Sequence, residues 1–174
     1  MTGTGAREVL TDGFERVGPV VAAALEGTTD AARTWRPAPG ANTLAWLAWH
    51  IARGQDSQVA ALAGTPEVWT AGGWAERFAL PFGEDATGYG QSPDEAAQVD
   101  APVDLLLGYL DATTAQTLAY LERVVDDDLG TVVDESWDPP VTLGVRLVSI
   151  LDDCVQHAGQ AGYLRGLLPR ELLG

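Results

Sequence analysis

This chain of 174 residues contains two histidines, and one of them stands four residues after an aspartate in "LDDCVQHAGQAGYLRG". Four residues is slightly more than a helical turn. In a helix, Asp153 and His157 therefore lie about 40° apart around the axis, one stacked over the other. A carboxylate oxygen and an imidazole nitrogen so placed can meet on one metal ion. A third ligand has to come from another element, and His50, in "NTLAWLAWHIARGQD", is the only other histidine. The same spacing also serves a plain hydrogen-bonded pair. What favours a metal is that both histidines fall in apolar helical segments, where a polar side chain needs a partner. Ligands of type N, N and O leave coordination positions open, as catalytic sites do. Zn²⁺, Ni²⁺ and Fe²⁺ all suit the set, with zinc the first expectation.

The neighbours of these residues are read more plainly. Gln160, one turn beyond His157, is expected to pair in the core, with orientation of a ligand as its other role. Cys154 is about 100° round the helix from Asp153 and reads as a small buried hydrophobe. Asp56 is about 120° from His50 and is kept outside the ligand set. Arg53, one turn after His50, is expected in a surface ion pair. Trp46 and Trp49 flank His50. No P-loop, dinucleotide fingerprint, Cys-x-x-Cys or nucleophile elbow occurs in the sequence.

These residues need helices to hold them. Leu10, Phe14, Val17 and Val21 share one face of a first helix over roughly residues 4–26, which Pro19 should kink. Asn42 is the expected N-cap of a second helix with Leu44, Leu47, Ala48 and Ile51 inward, stopped by Gly64 and Pro66. The segment Thr65–Gln91, carrying Trp69, Trp74, Phe78 and Phe82, is long for a loop and reads as a lid or pocket wall. "SPDE" at 92–95 is a capping box opening a short helix. A third long helix follows from about Asp100, with Val103, Leu106, Leu110, Thr117, Leu121 and Val124 on one side. A loop with an extended piece at Thr131–Val133 then leads to a fourth long helix, capped by Thr142 and ended by Pro169. Four long helices and little β signal predict an all-α four-helix bundle with long crossover connections, in one domain over residues 1–174.

Composition narrows the partners. The net charge is −15, and all ten basic residues are arginine. Such a chain repels phosphate backbones and anionic membranes, so nucleic acid and membrane partners are not expected. With one cysteine no internal disulfide can form, and the start of the chain has no apolar run of signal-peptide length. A reduced, cytoplasmic setting is expected. The Arg-only, Ala- and Gly-rich composition suggests a GC-rich, actinobacterial-type source. Gly159, Ala161 and Gly162 would allow close helix contact, within the bundle or across a homodimer.

The segments "NTLAWLAWHIARGQD", "GGWAERFALPF", "GYGQSPDEAA" and "VTLGVRLVSILDDCVQHAGQAGYLRGLL" resemble, in order and spacing, the DinB-like superfamily. More narrowly, they resemble the metal-binding domain of mycothiol-dependent maleylpyruvate isomerases and related thiol transferases. That resemblance implies a four-helix bundle with one histidine ligand from the second helix and two ligands from the fourth. On this chain those positions are His50, Asp153 and His157. Many members carry H-x-x-x-H in the last helix, and the isomerase-like ones E-x-x-x-H. Aspartate here is one methylene shorter than glutamate, which would bring a metal closer to the helix. The chain ends without the additional C-terminal domain of the isomerases, which directs the expectation to thiol transfer rather than isomerisation. The resemblance thus implies a metal-dependent transferase that conjugates a small thiol of the mycothiol type to a small electrophile held by the aromatic loop. A non-catalytic small-molecule-binding or stress-associated bundle with a degraded metal site, and a metal-dependent hydrolase, are the competing readings.

Overall fold

A computed structural model describes residues 5–174. The first long helix is divided into α1 (Ala6–Glu15) and α2 (Val17–Leu25), and position 4 lies outside the described residues. The division falls at Arg16, just before Pro19. Proline lacks the N–H that would bond to the Glu15 carbonyl, and its ring crowds that carbonyl, so the distortion appears a turn upstream. Leu10, Phe14, Val17 and Val21 are all buried, as their spacing predicts.

A short helix, α3 (Asp30–Thr34), precedes α4 (Leu44–Ala63). The N-cap of α4 is Thr43, not Asn42. Its backbone is extended (φ −93°, ψ 163°), and its hydroxyl accepts the Trp46 N–H at 3.0 Å. Gly64 ends the helix in the left-handed conformation at φ 65°. The segment after it folds locally into α5 (Val68–Ala71) and α6 (Trp74–Phe78). Then come α7 (Pro93–Ala96), α8 (Val103–Leu121), a two-stranded antiparallel ribbon of β1 (Val132–Asp134) and β2 (Val141–Thr142), and α9 (Leu143–Leu167). The predicted capping box is present at Ser92 and Glu95. Thr142 caps α9.

The four long helices form a bundle in which α4 packs along both α8 and α9, and α1 and α2 pack along the same two helices from the other side. The first and second long helices are therefore diagonal, and the chain crosses the bundle before α4 and again before α9. The connection from α4 to α8 joins neighbours. Its length serves instead to cover the outer side of α4. Trp69 and Phe78 are buried there against Tyr109 of α8, with ring centroids 5.1 and 5.9 Å from it. This covering explains why α4 is buried on nearly every face of its first half, from Leu44 to Arg53.

Candidate metal centre

The seam between α4 and α9 is where the sequence-predicted residues meet. His50 faces it from α4; Asp153 and His157 face it from α9. Asp153 stands between the two imidazoles, with Oδ1 3.4 Å from His157 Nε2 and Oδ2 3.8 Å from His50 Nε2. The ligand-capable atoms of all three lie within 4.8 Å of one another. Ligands about 2.0–2.1 Å from a tetrahedral ion are separated by about 3.3 Å, so the spacing is close to that of a coordination sphere.

The ring orientations are fixed from outside the triad. His50 Nδ1 is 2.6 Å from the Thr87 carbonyl oxygen. A carbonyl can only accept, so Nδ1 carries the proton and Nε2 offers its lone pair to the seam. His157 Nδ1 is 3.1 Å from Gln160 Oε1 and is set in the same way. Metal-binding histidines are held in this manner, the distal N–H tied to an oxygen so that the other nitrogen is free and basic. The Trp46 ring stacks on His50 at 4.4 Å, inclined by 15°, and meets His157 edge-on at 5.8 Å. Trp46 Nε1 donates in turn to Gln91 Oε1 at 2.9 Å.

The electrostatics distinguish the two histidines. Burial lowers the His50 pKa, which keeps that ring neutral. The Asp153 hydrogen bond raises that of His157, and the same bond lowers that of Asp153. The centre thus combines one dry neutral imidazole, one wetter imidazole and a carboxylate that stays ionised. Among the described residues it could hold a metal ion.

Several expectations are corrected by the geometry. Gln160 does not pair in the core; it is exposed and orients His157. Arg53 is in no surface pair, since its side chain is wholly buried, with Nη1 2.9 Å from Glu67 and 3.7 Å from Asp56. Its Nε donates to the Ala86 carbonyl at 3.1 Å, next to the Thr87 carbonyl that holds His50. Burial of an arginine this near the N-terminal half of α4 follows from the covering segment. Asp56 stays outside the triad. It accepts the Val68 and Trp69 N–H groups and the Tyr109 hydroxyl, so it anchors α5. Cys154 is buried as expected, its thiol pushed up to about 12 by desolvation. Of the predicted lid, the four aromatics anchor or pack against the core, while its last residues, Thr87 and Tyr89, line the cleft beside the triad. A Cβ at Gly159 or Gly162 would meet nothing within 4 Å among the described residues, whereas Ala161 is in the core.

Sequence reasoning did not find Thr87, Gly88, Gly54 or Arg146. Gly88 lies at φ +96°, and a Cβ there would come within 2.5 Å of His50 Nδ1 and 3.0 Å of Trp46. The signal for it was the pair of glycines in "GYGQ", which marks a tight turn. Thr87 contributes only its backbone carbonyl and has no residue-type signature.

Fold and centre together define an all-α bundle with a two-histidine, one-carboxylate cluster between its second and fourth long helices. The sequence profile of the DinB superfamily matches residues 14–161, and the chain belongs to that superfamily. A conserved protein from Enterococcus faecalis, known from a crystal structure, is 37% identical, superposes with a TM-score of 0.89, and aligns over 95% of this chain and 98% of its own. None of the curated proteins matches this chain. No helix among the described residues is long and apolar enough to cross a membrane.

Proposed function

We propose that this protein is a metal-dependent transferase that conjugates a low-molecular-weight thiol, of the mycothiol type, to a small electrophile in the cytoplasm, acting as a single domain. The observation that carries the metal part is the paired orientation of His50 and His157. Both present Nε2 to Asp153, and both have Nδ1 tied to an oxygen outside the triad. The donor set fits a divalent ion, with zinc favoured among Zn²⁺, Ni²⁺ and Fe²⁺. When bound, the ion would supply the positive charge that lets a coordinating thiol persist as thiolate near neutral pH. His50, Asp153 and His157 act as ligands and not as proton carriers. Thr87 and Gln160 hold the rings, and Trp46 keeps one side of the centre dry. The thiol part is supported by the family resemblance and by a cleft of about 460 Å³ that reaches His50 and Asp153, giving a second molecule access.

Two measurements test this. Elemental analysis of untagged protein should find about one divalent ion per chain. His50→Ala should lose most of it while helix content by circular dichroism is kept; unchanged metal content in that variant removes His50 from the ligand set. In cobalt-loaded protein, mycothiol, or a simpler thiol at higher concentration, should produce an intense near-ultraviolet sulfur-to-cobalt band. No band, with no thiol consumed across a panel of electrophiles, would put a non-catalytic binding protein ahead. Turnover without thiol would instead point to hydrolysis.

A further inference from the structure

Beyond the triad, the cleft extends along the α4–α9 seam, and its walls are two facing polar stripes. On α9 the stripe is Arg146, Ser149 and Asp153; on α4 it is His50, Gly54, Ser57 and Gln58. Spacings of three, four and seven residues keep Arg146, Ser149 and Asp153 on one face of α9 and His50, Gly54 and Ser57 on one face of α4, with Gln58 one turn after Gly54. Helix seams in a bundle are ordinarily filled by apolar side chains, and the α1–α2 contact with α9 is of that kind, with Val17, Val21, Leu147 and Ile150 buried. A seam that instead carries hydroxyls, an amide and a guanidinium around a cavity is built for a polar guest.

Two residues define that guest. Gly54 lies one turn after His50, in the interior of α4, where glycine costs about 1 kcal/mol relative to alanine. A Cβ at Gly54 would meet only Asp153 Oδ2, at 3.6 Å. Packing therefore does not demand the glycine, and its effect is to leave open the approach to the triad. Among the described residues, Arg146 is the one arginine lining the cleft. It lies seven residues before Asp153 on α9, about 10 Å along the axis and about 20° around it. The Asp134 carboxylate fixes its guanidinium at 2.7 Å from the ribbon side, and Gln58 Oε1 is 3.4 Å from Nη1. The other Asp134 oxygen is occupied by the Ser136 N–H and hydroxyl. Those two contacts use two of the five guanidinium N–H donors. An anchored arginine with spare donors is a preorganised receptor for a carboxylate.

We infer that the cleft takes a small organic acid, bound by a soft or anionic atom at the triad and by a carboxylate at Arg146, about two helical turns away. Resting on the proposed thiol chemistry, this narrows the low-molecular-weight thiol to one that, unlike mycothiol itself, carries a carboxylate roughly 10 Å from its sulfur. Gly54 admits it, and Ser57 and Ser149 flank its middle. An uncharged thiol of the same length would lose the Arg146 contact.

The test uses the metal-loaded protein and three probes. Glutathione and its diethyl ester have the same skeleton and differ in carboxylate charge, and the near-ultraviolet band of the cobalt protein reads sulfur binding. Suberate, a dicarboxylate with ends of suitable separation, reads the anion requirement by calorimetry without sulfur. A charge-assisted hydrogen bond corresponds to about a tenfold change in affinity. Wild-type protein should prefer glutathione over the ester by about that factor, and Arg146→Gln should remove the preference and weaken suberate to a similar degree. Ser57→Leu, which fills the cleft away from the triad, should weaken binding of all three with cobalt content unchanged. If Arg146→Gln unfolds by leaving Asp134 unpaired, Asp134→Asn/Arg146→Gln removes that orphan charge and the same comparison holds. Equal binding of glutathione and ester, together with unchanged suberate affinity in the Arg146 variant, would overturn the inference. No sulfur band with either thiol, but suberate weakened by the Arg146 change, would sink the thiol reading and leave the organic-acid site standing.

Discussion

Gly88→Ala should injure the centre without touching a ligand. The backbone at Gly88 has φ +96°, a region costing a side-chain-bearing residue on the order of 1–2 kcal/mol. The new methyl would stand 2.5 Å from His50 Nδ1 and 3.0 Å from Trp46 Cζ2, too close for either ring to stay in place. Moving the imidazole breaks its 2.6 Å bond to the Thr87 carbonyl, a loss of about 1 kcal/mol. The sum is about 2–3 kcal/mol, and for a chain of this size that lowers Tm by about 5–10 °C. Once the ring is free to rotate or change tautomer, metal affinity should fall about 10- to 100-fold. A competition titration against a chromophoric chelator reads the affinity, and calorimetry reads Tm. Gly90 is the control. It lies at φ +74° in the same segment, but a Cβ there meets nothing within 4 Å. Gly90→Ala should carry the backbone strain alone and keep wild-type metal affinity. If the two variants hold metal equally well, the argument that Gly88 exists to seat the His50 ring is wrong.

In metal-free protein, the His157 ring should titrate above 6.5 and the His50 ring below it by NMR, since the Asp153 hydrogen bond raises the former and burial lowers the latter. Stability from His157 is complete below 6.5 and is lost as pH rises through its folded pKa. Stability from His50 is complete above 6.5 and is lost as pH falls through its folded pKa, so the pair contributes most close to 6.5. Metal affinity should instead fall steadily on acidification, because protons compete for both rings; a pH-independent affinity would exclude the histidines as ligands. Arg53→Met should destabilise the fold by about 3–5 kcal/mol in chemical denaturation, because Asp56 and the Glu67 contact lose their buried cation. A cost below about 1 kcal/mol would place Arg53 among surface pairs after all. Cys154 should be inert to a disulfide reagent in the native state and react only on unfolding, its thiol being buried and raised to about 12; fast native labelling would contradict that.

The helices and the triad were legible in the sequence for a simple reason. Periodicity and caps act over one or two turns, and histidine is scarce enough here that its positions carry information. What was not legible acts through space and through the backbone. Arg53 looks like a surface residue on α4 alone, and becomes a core residue only because the 65–91 segment covers that face. The restraint on His50 comes from a carbonyl of Thr87, and any residue could supply a carbonyl. Asn42 and Thr43 are both competent cap types, and residue type alone does not say which of two neighbours sits at the N-cap, the position Thr43 takes. The polar stripes Arg146–Ser149–Asp153 and His50–Gly54–Ser57 were not read from the sequence, because each gains meaning only when the other faces it.

Aspartate at position 153, one methylene shorter than a glutamate, illustrates how such a pairing works. On α9 alone the shorter side chain looks like a loss, since it withdraws the carboxylate toward its own helix. Across the seam stands Gly54, with no side chain, and its Cβ position lies only 3.6 Å from Asp153 Oδ2. The carboxylate therefore reaches to the surface of α4 with the length it has, and both of its oxygens lie near an imidazole Nε2, at 3.4 and 3.8 Å. A glutamate would push its oxygens further, against the α4 backbone at Gly54. Aspartate and glycine thus act as a pair, the short carboxylate meeting the bare backbone of α4 across the seam, with the cleft opening beside them.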